Sequence, residues 1–194
     1  MIAIIDYDAG NVKSVQNALK KLGFEAVITS DIERIKNADK VIFPGVGEAS
    51  SAMKKLQERG LDAVIPNLKQ PVLGICLGMQ LMCNASEEGN TKALGIFDCE
   101  VKLFPNSDIV PHMGWNNVSE MKGKLFENIS DTDNFYFVHS YYAEVGESTT
   151  SVCDYIIPFS ATLEKDNFYA AQFHPEKSGD AGFKLLENFL NFRF

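Results

Sequence analysis

The run Val72-Leu73-Gly74-Ile75 is apolar throughout and passes directly into Cys76-Leu77-Gly78-Met79-Gln80. A strand with no polar face must be covered on both sides, which places it inside a sheet flanked by helices. Pro71 breaks any preceding helix, and the segment from Met79 onward has a helix-like pattern, so Cys76 falls on a tight strand-to-helix turn. Flanking glycines tolerate strained backbone at such a turn, and the first N–H groups of a helix favour a thiolate. Cys76 is therefore the candidate nucleophile. The alternative is a small buried residue filling a tight turn.

The rest of the N-terminal half supports the same architecture. Ile2 to Ile5 predicts a first strand, and Val12, Val15, Leu19 and Leu22 recur at helical spacing before Gly23, where a left-handed cap fits. Further strands are expected at Ala26 to Ile28 and Lys40 to Phe43. Pro44-Gly45-Val46-Gly47 then forms a turn, followed by a helix over Ser50 to Arg59 that Gly60 ends, and by a helical turn or two over Leu61 to Leu68. Alternating aliphatic runs and helical patterns predict an α/β fold with a mostly parallel central sheet. Nucleophiles and ligands sit at strand carboxyl ends in such sheets.

Beyond Glu100 the runs shorten and gain aromatic residues: Val101 to Phe104, Phe135 to Val138, Ser151 to Ile157, Ala161 to Glu164 and Phe168 to Phe173, with a tight turn at Asp166-Asn167. These predict added antiparallel strands. An amphipathic helix over Phe183 to Phe192 closes the chain, and no linker divides residues 1–194, which reads as one domain. A chain this long buries roughly 70% of its unfolded surface.

A net charge of −8 argues against a broad nucleic-acid face. Lys20-Lys21 and Lys54-Lys55 are the densest cationic runs and read as solvated helix faces. Four cysteines without a C-x-x-C pair indicate neither zinc nor a disulfide framework, which fits a reducing cytoplasm; Cys83, Cys99 and Cys153 read as packing residues. The first apolar run is stopped by Asp6, too early for a signal peptide or a membrane span.

A thiolate nucleophile needs a base and donors for the oxyanion it generates. Phe173-His174-Pro175-Glu176 follows an apolar strand and offers an imidazole and a carboxylate two residues apart; extended backbone would project both to one side, with Pro175 restraining the geometry. Cys76, His174 and Glu176 then compose a Cys-His-acid set. A surface turn is the alternative for the His-Pro-Glu segment taken alone. Oxyanion donors are available at the Leu77 N–H and in the Pro44-to-Gly47 turn, where glycines let a peptide such as that of Val46 turn inward. His112, in a loop-like segment, and His139, after a strand, read as hydrogen-bonded structural residues. Asn11 is placed either to cap the first helix or to face the site.

With these residues in view, the chain resembles the class I (triad) glutamine amidotransferases, and more closely the glutaminase subunits of imidazole glycerol phosphate synthases. The similarity runs over nearly the whole length: Asp6 to Asn11, Pro44 to Gly47, Gly74 to Gln80, Ser86 to Gly89, Leu94 to Phe97, Pro111 to Asn116, Phe137 to Tyr142 and Gln172 to Lys177. Pro-His-Met-Gly-Trp-Asn is diagnostic of the subfamily, whereas the elbow and His-Pro-Glu belong to the wider class.

The resemblance implies that glutamine binds near Gly47, Gln80, Ser140 and Tyr141, that Cys76 attacks its side-chain amide, and that His174, positioned by Glu176, protonates the departing ammonia and activates water. It implies no metal and no cofactor. It also implies a heterodimer with a (β/α)₈ cyclase subunit that receives the ammonia, with Asn11, Trp115 and Lys177 at the shared face and Tyr136 near the ammonia path. Family members are nearly inactive alone and are switched on by the partner's ligand, with rearrangement at Pro44 to Gly47. Two positions depart from the pattern: Asp8 stands where a glycine is usual, and Ile109 where a lysine is common. Both face the expected partner. They leave open a paralogue serving a sugar amidotransferase of surface polysaccharide synthesis; the glutaminase of pyridoxal phosphate synthase lacks the Pro111-to-Asn116 block. A non-catalytic α/β interaction protein would have lost a triad member, and none is lost.

Overall fold

The computed structural model describes residues 1–192. In chain order the elements are β1 (Ile2–Ile5), α1 (Val12–Lys21), β2 (Ala26–Thr29), α2 (Ile32–Lys36), β3 (Lys40–Gly45), α3 (Ala49–Glu58), α4 (Leu61–Val64), β4 (Val72–Cys76), α5 (Leu77–Met82), β5 (Ala85–Ser86), β6 (Thr91–Lys92), β7 (Glu100–Leu103), β8 (His112–Asn117), β9 (Asn134–His139), β10 (Tyr141–Ala143), β11 (Thr149–Tyr155), β12 (Ile157–Lys165), β13 (Phe168–Ala171) and α6 (Gly179–Asn191). The main sheet has seven strands in the order β11-β12-β13-β4-β3-β1-β2. The five from β13 to β2 are parallel, and β11 and β12 extend the sheet antiparallel.

β4 lies at the centre with all five residues buried. Successive side chains of a strand point to opposite faces, and two separate cores follow. Ala3, Ile5, Val41, Phe43 and Val72 join α3 and α4 on one face. Ile4, Ile42, Leu73 and Ile75 join α1 and α6 on the other. Each such aliphatic side chain contributes about 1.5–3 kcal/mol on burial, and this two-sided burial fixes the register that brings Cys76 to the carboxyl edge. α1 starts on an Asn11 cap, whose side chain accepts from the Ser14 N–H at 3.3 Å, and ends at Gly23 with φ 83°. Among the described residues no helix is long and apolar enough to cross a membrane.

The structure departs from the expected elements in four places. Ser151 to Ile157 is not one strand: Ile156 takes φ 61° and folds the segment into the β11–β12 hairpin, a turn without the glycine or asparagine that marks such bends. The Pro111-to-Asn116 segment is not a loop, because His112–Asn117 forms β8 and pairs antiparallel with β9. The final helix begins at Gly179 rather than Phe183, and the last parallel strand stops at Ala171, two residues before Phe173. β7 meets the expected Val101-to-Phe104 run, but the β10, β5 and β6 strands that join it in a small sheet of order β10-β7-β5-β6, two or three residues each, lay below what periodicity can reveal.

Candidate active site

Cys76 ends β4 and precedes α5, with φ 54° and ψ −113°. The strain therefore sits on the cysteine itself. The neighbouring glycines serve close approach: a Cβ on Gly78 would collide with the Phe43 carbonyl oxygen of β3, and one on Gly74 would come within 2.5 Å of Met82 Sδ. Helix α5 can start against the sheet only because those side chains are missing, and its first N–H groups, Leu77 among them, have no intrahelical acceptor.

His174 follows β13 and is held from both sides. Its N–H donates to the Tyr136 carbonyl at 2.9 Å, and its own carbonyl accepts from the Ser178 hydroxyl at 2.6 Å. Ser178 Oγ also accepts from the Tyr136 N–H at 2.9 Å, so one hydroxyl locks the histidine segment to β9. Sequence offered no signal for Ser178. His174 Nδ1 lies 2.8 Å from Glu176 Oε1, both side chains being almost wholly buried. The contact does not come from extended backbone, since Pro175–Lys177 is a 3₁₀ turn that folds the carboxylate back under the ring. Burial pushes the His174 imidazolium down, but interaction with Cys76 and Glu176 outweighs it and raises the group to about 9. Its Nε2 has no hydrogen-bond partner among the described residues.

Cys76 and His174 line one cavity of about 300 Å³, together with Gly47, Gln80, Ser140 and Tyr141. A larger surface hollow of about 540 Å³ near Gln16 and Lys20 is lined by no cysteine, serine or histidine. All four residues expected around the substrate thus share the cavity with Cys76 and His174. Leu77 and Val46 line the same cavity. The Val46 N–H, however, donates to the Ala9 carbonyl at 3.1 Å and so is engaged outside the site, contrary to the expectation of two ready oxyanion donors. Ala9 belongs to the loop in which Asp8 replaces the usual glycine. Asp8 takes φ 61°, within the range aspartate tolerates, and its carboxylate pairs with Arg59 while its carbonyl accepts from Lys55 at 2.6 Å.

Asn11 satisfies both of its readings, capping α1 while bordering a small void shared with His174 and Glu176. Trp115 and Tyr136 are directly opposite on β8 and β9, with ring centroids 6.0 Å apart, and Lys177 Nζ lies 5.9 Å from the Tyr136 ring. Trp115, Met113 and Ile109 are 58%, 63% and 75% exposed, and Met113 and Trp115 project from the same face of β8.

His112 and His139 are buried and pair directly, Nδ1 to Nε2, at 3.1 Å. His139 Nδ1 faces the Tyr141 carbonyl at 2.7 Å and so carries the proton; its Nε2 then accepts from His112. Burial lowers His139 to about 3 and His112 to about 4, keeping both neutral. Both are buried and hydrogen-bonded, as expected, and His139 also lines the cavity, but the direct pairing was not foreseen. Tyr7 was passed over as well: it is buried, its hydroxyl has no hydrogen-bond partner among the described residues, and burial followed by the proximity of Cys76 pushes its phenol upward.

Residues 3–192 match the family model described as glutamine amidotransferase class-I. The chain is 60% identical over 192 residues to the imidazole glycerol phosphate synthase subunit HisH of Bacteroides fragilis strain YCH46, covering 97% of this chain and 98% of that one. It is 47% identical over 197 residues to the subunit of the same name from Vibrio parahaemolyticus, covering 97% of each. A solved glutamine amidotransferase superimposes with a TM-score of 0.75 at 20% identity, over 98% of this chain and 97% of the other. A chain matched over nearly its full length by that model, with a cysteine elbow facing a His–Glu pair, belongs to the class-I glutamine amidotransferases.

Proposed function

We propose that this protein is the glutaminase subunit of an imidazole glycerol phosphate synthase, releasing ammonia from glutamine for histidine biosynthesis. The reading rests on one observation: Cys76 and the Nε2 edge of a His174–Glu176 pair line a single cavity sized for an amino acid. The similarity to HisH subunits over nearly the whole chain supports the pathway assignment. The same likeness disfavours a sugar-amidating paralogue, and an intact triad disfavours a non-catalytic role. Residues 1–194 would act as one cytoplasmic glutamine amidotransferase domain.

In this mechanism glutamine lies between Gly47, Gln80, Ser140 and Tyr141 with its side-chain amide over Cys76. The thiolate attacks the amide carbon, and the Leu77 N–H stabilises the oxyanion. His174 donates its Nε2 proton to the departing ammonia, leaving a thioester; it then takes a proton from water, whose attack releases glutamate and frees the sulfur. Glu176 holds the ring and favours its charged form. For Val46 to add a second donor, its N–H must leave the Ala9 carbonyl, so the unpartnered subunit is expected to be slow.

The partner is proposed to be a (β/α)₈ cyclase that docks on the face carrying Asn11, Trp115 and Lys177 and takes ammonia past Tyr136. Exposed Trp115 has the character of an interface anchor. The test is glutamate release with and without a cyclase and its ribonucleotide substrate. Stimulation by the cyclase and loss of turnover in Cys76→Ala are expected. Turnover surviving in Cys76→Ala refutes the nucleophile, and indifference to every cyclase refutes the partner.

A further inference from the structure

Gln172 has no part in the chemistry described so far, yet it is 0% exposed and lies two residues before His174. A fully buried primary amide is costly unless both ends are bonded. Its Oε1 accepts from Gln80 Nε2 at 3.0 Å, and its Nε2 points at Cys76 Sγ, 3.8 Å away. Gln172 therefore contacts the sulfur from a side chain other than the base.

The direction of that amide is fixed by a chain of donors and acceptors. Gln80 Nε2 donates both to Gln172 Oε1 and to the Tyr141 carbonyl, the latter at 2.9 Å. The Tyr141 carbonyl also accepts the His139 Nδ1 proton at 2.7 Å, and His139 is set by His112 at 3.1 Å. Turning the Gln172 amide over would oppose two NH₂ groups at Gln80 and bring a carbonyl oxygen against the sulfur. Only the orientation with an N–H toward Sγ pairs donor with acceptor at both ends of Gln172.

Resting on the reading of Cys76 as nucleophile, we propose that Gln172 is a further catalytic residue, an amide donor that holds the Cys76 thiolate in its attacking position. An N–H bonded to an anionic acceptor is stronger than one bonded to a neutral acceptor, so the contact favours the thiolate over the thiol. His174 can then spend its Nε2 proton on the leaving group while the sulfur keeps a donor throughout the reaction. The other titratable groups around the sulfur are His174 backed by Glu176, Tyr7 near Gly45, and His139, Tyr141 and Glu88 on the cavity lining.

The test is the rate at which iodoacetamide alkylates Cys76, followed on the Cys76 peptide by mass spectrometry, in the wild type and in Gln172→Met, which fills similar volume without a donor. Expected is about a ten-fold slower reaction at neutral pH that recovers to the wild-type rate at strongly alkaline pH, where every thiol is ionised. Glutamine turnover with the activating partner should lose kcat by a similar factor with KM little changed. Equal rates at neutral pH would overturn the proposal, as would a deficit that persists at alkaline pH, since that marks lost access and not a lost donor. Should Gln172→Met unfold, Gln172→Asn keeps the amide but withdraws it from the sulfur, and the same two outcomes apply. A Cys76→Ala protein that still turns over glutamine defeats the nucleophile reading, whereas an inactive Cys76→Ala beside a normal Gln172→Met defeats only this one.

Discussion

Two buried histidine sites border one cavity and hold different charge states, one cationic and one neutral. His174 meets a carboxylate at 2.8 Å and is raised to about 9, whereas His139 meets another imidazole at 3.1 Å and is lowered to about 3. Burial depresses both, so the nature of the partner decides the outcome. An acidic partner makes a proton donor that survives desolvation; a neutral partner makes a fixed tautomer that braces a neighbouring carbonyl. A histidine's presence in a motif says nothing about which of these it will be.

The largest effect should come from turning the first site into the second. Glu176→Gln keeps the shape but removes one of the two groups, Cys76 being the other and the stronger, that offset burial at His174, and partner-stimulated turnover should fall by about 10²–10⁴-fold. Proton titration by NMR should show His174 falling from about 9 toward the neutral-favouring range of the His139 site. A variant whose His174 still titrates near 9 would assign the shift to Cys76 alone.

Stability against pH separates the sites next. His174 is raised above its ordinary 6.5, so its contribution is complete below 6.5 and is lost as pH climbs through about 9. His139 and His112 are lowered, so theirs is complete above 6.5 and is lost as pH falls toward about 4 and then about 3. Below 6.5 each of this pair should remove stability at up to about 1.4 kcal/mol per pH unit. Urea denaturation across that range should show the loss in the wild type, and His139→Gln, which stays neutral, should flatten the slope. A wild-type curve level on the acid side would mean that the imidazoles charge freely within the fold.

The parts of this site legible in sequence were those that local pattern controls. The apolar run into Gly-Ile-Cys-Leu-Gly fixed β4, the elbow and the place of Cys76 on it, because a fully buried strand followed by a helix leaves few alternatives. The His174–Glu176 contact was legible as chemistry but not as geometry, since proline began a 3₁₀ turn where an extended segment was expected. What stayed hidden were long-range pairings. Gln80 meets Gln172 across 92 positions, and His112 meets His139 only because β8 and β9 pair in register. The Val46 N–H likewise gives no sign in sequence of its choice between Ala9 and the cavity, because glycine-rich backbone permits either.

The smallest effect tests where the neutral site ends. Asn116 Nδ2 lies 3.5 Å from His112 Nε2, at the limit of a useful hydrogen bond, and donates more firmly to the Asp154 carbonyl at 3.1 Å. If the histidine pair is held by its own short contact and by the Tyr141 carbonyl, then Asn116→Ala removes only a weak outer donor and should cost about 0.5–1 kcal/mol. The acid slope should be unchanged, because neither imidazole gains a new partner. A loss several times larger, or a shift in that slope, would move the anchor of the pair outward to the β8 face. The neutral site would then be set by the same surface that the proposed cyclase covers, and it would no longer be a purely internal brace against which the charged His174 site can be contrasted.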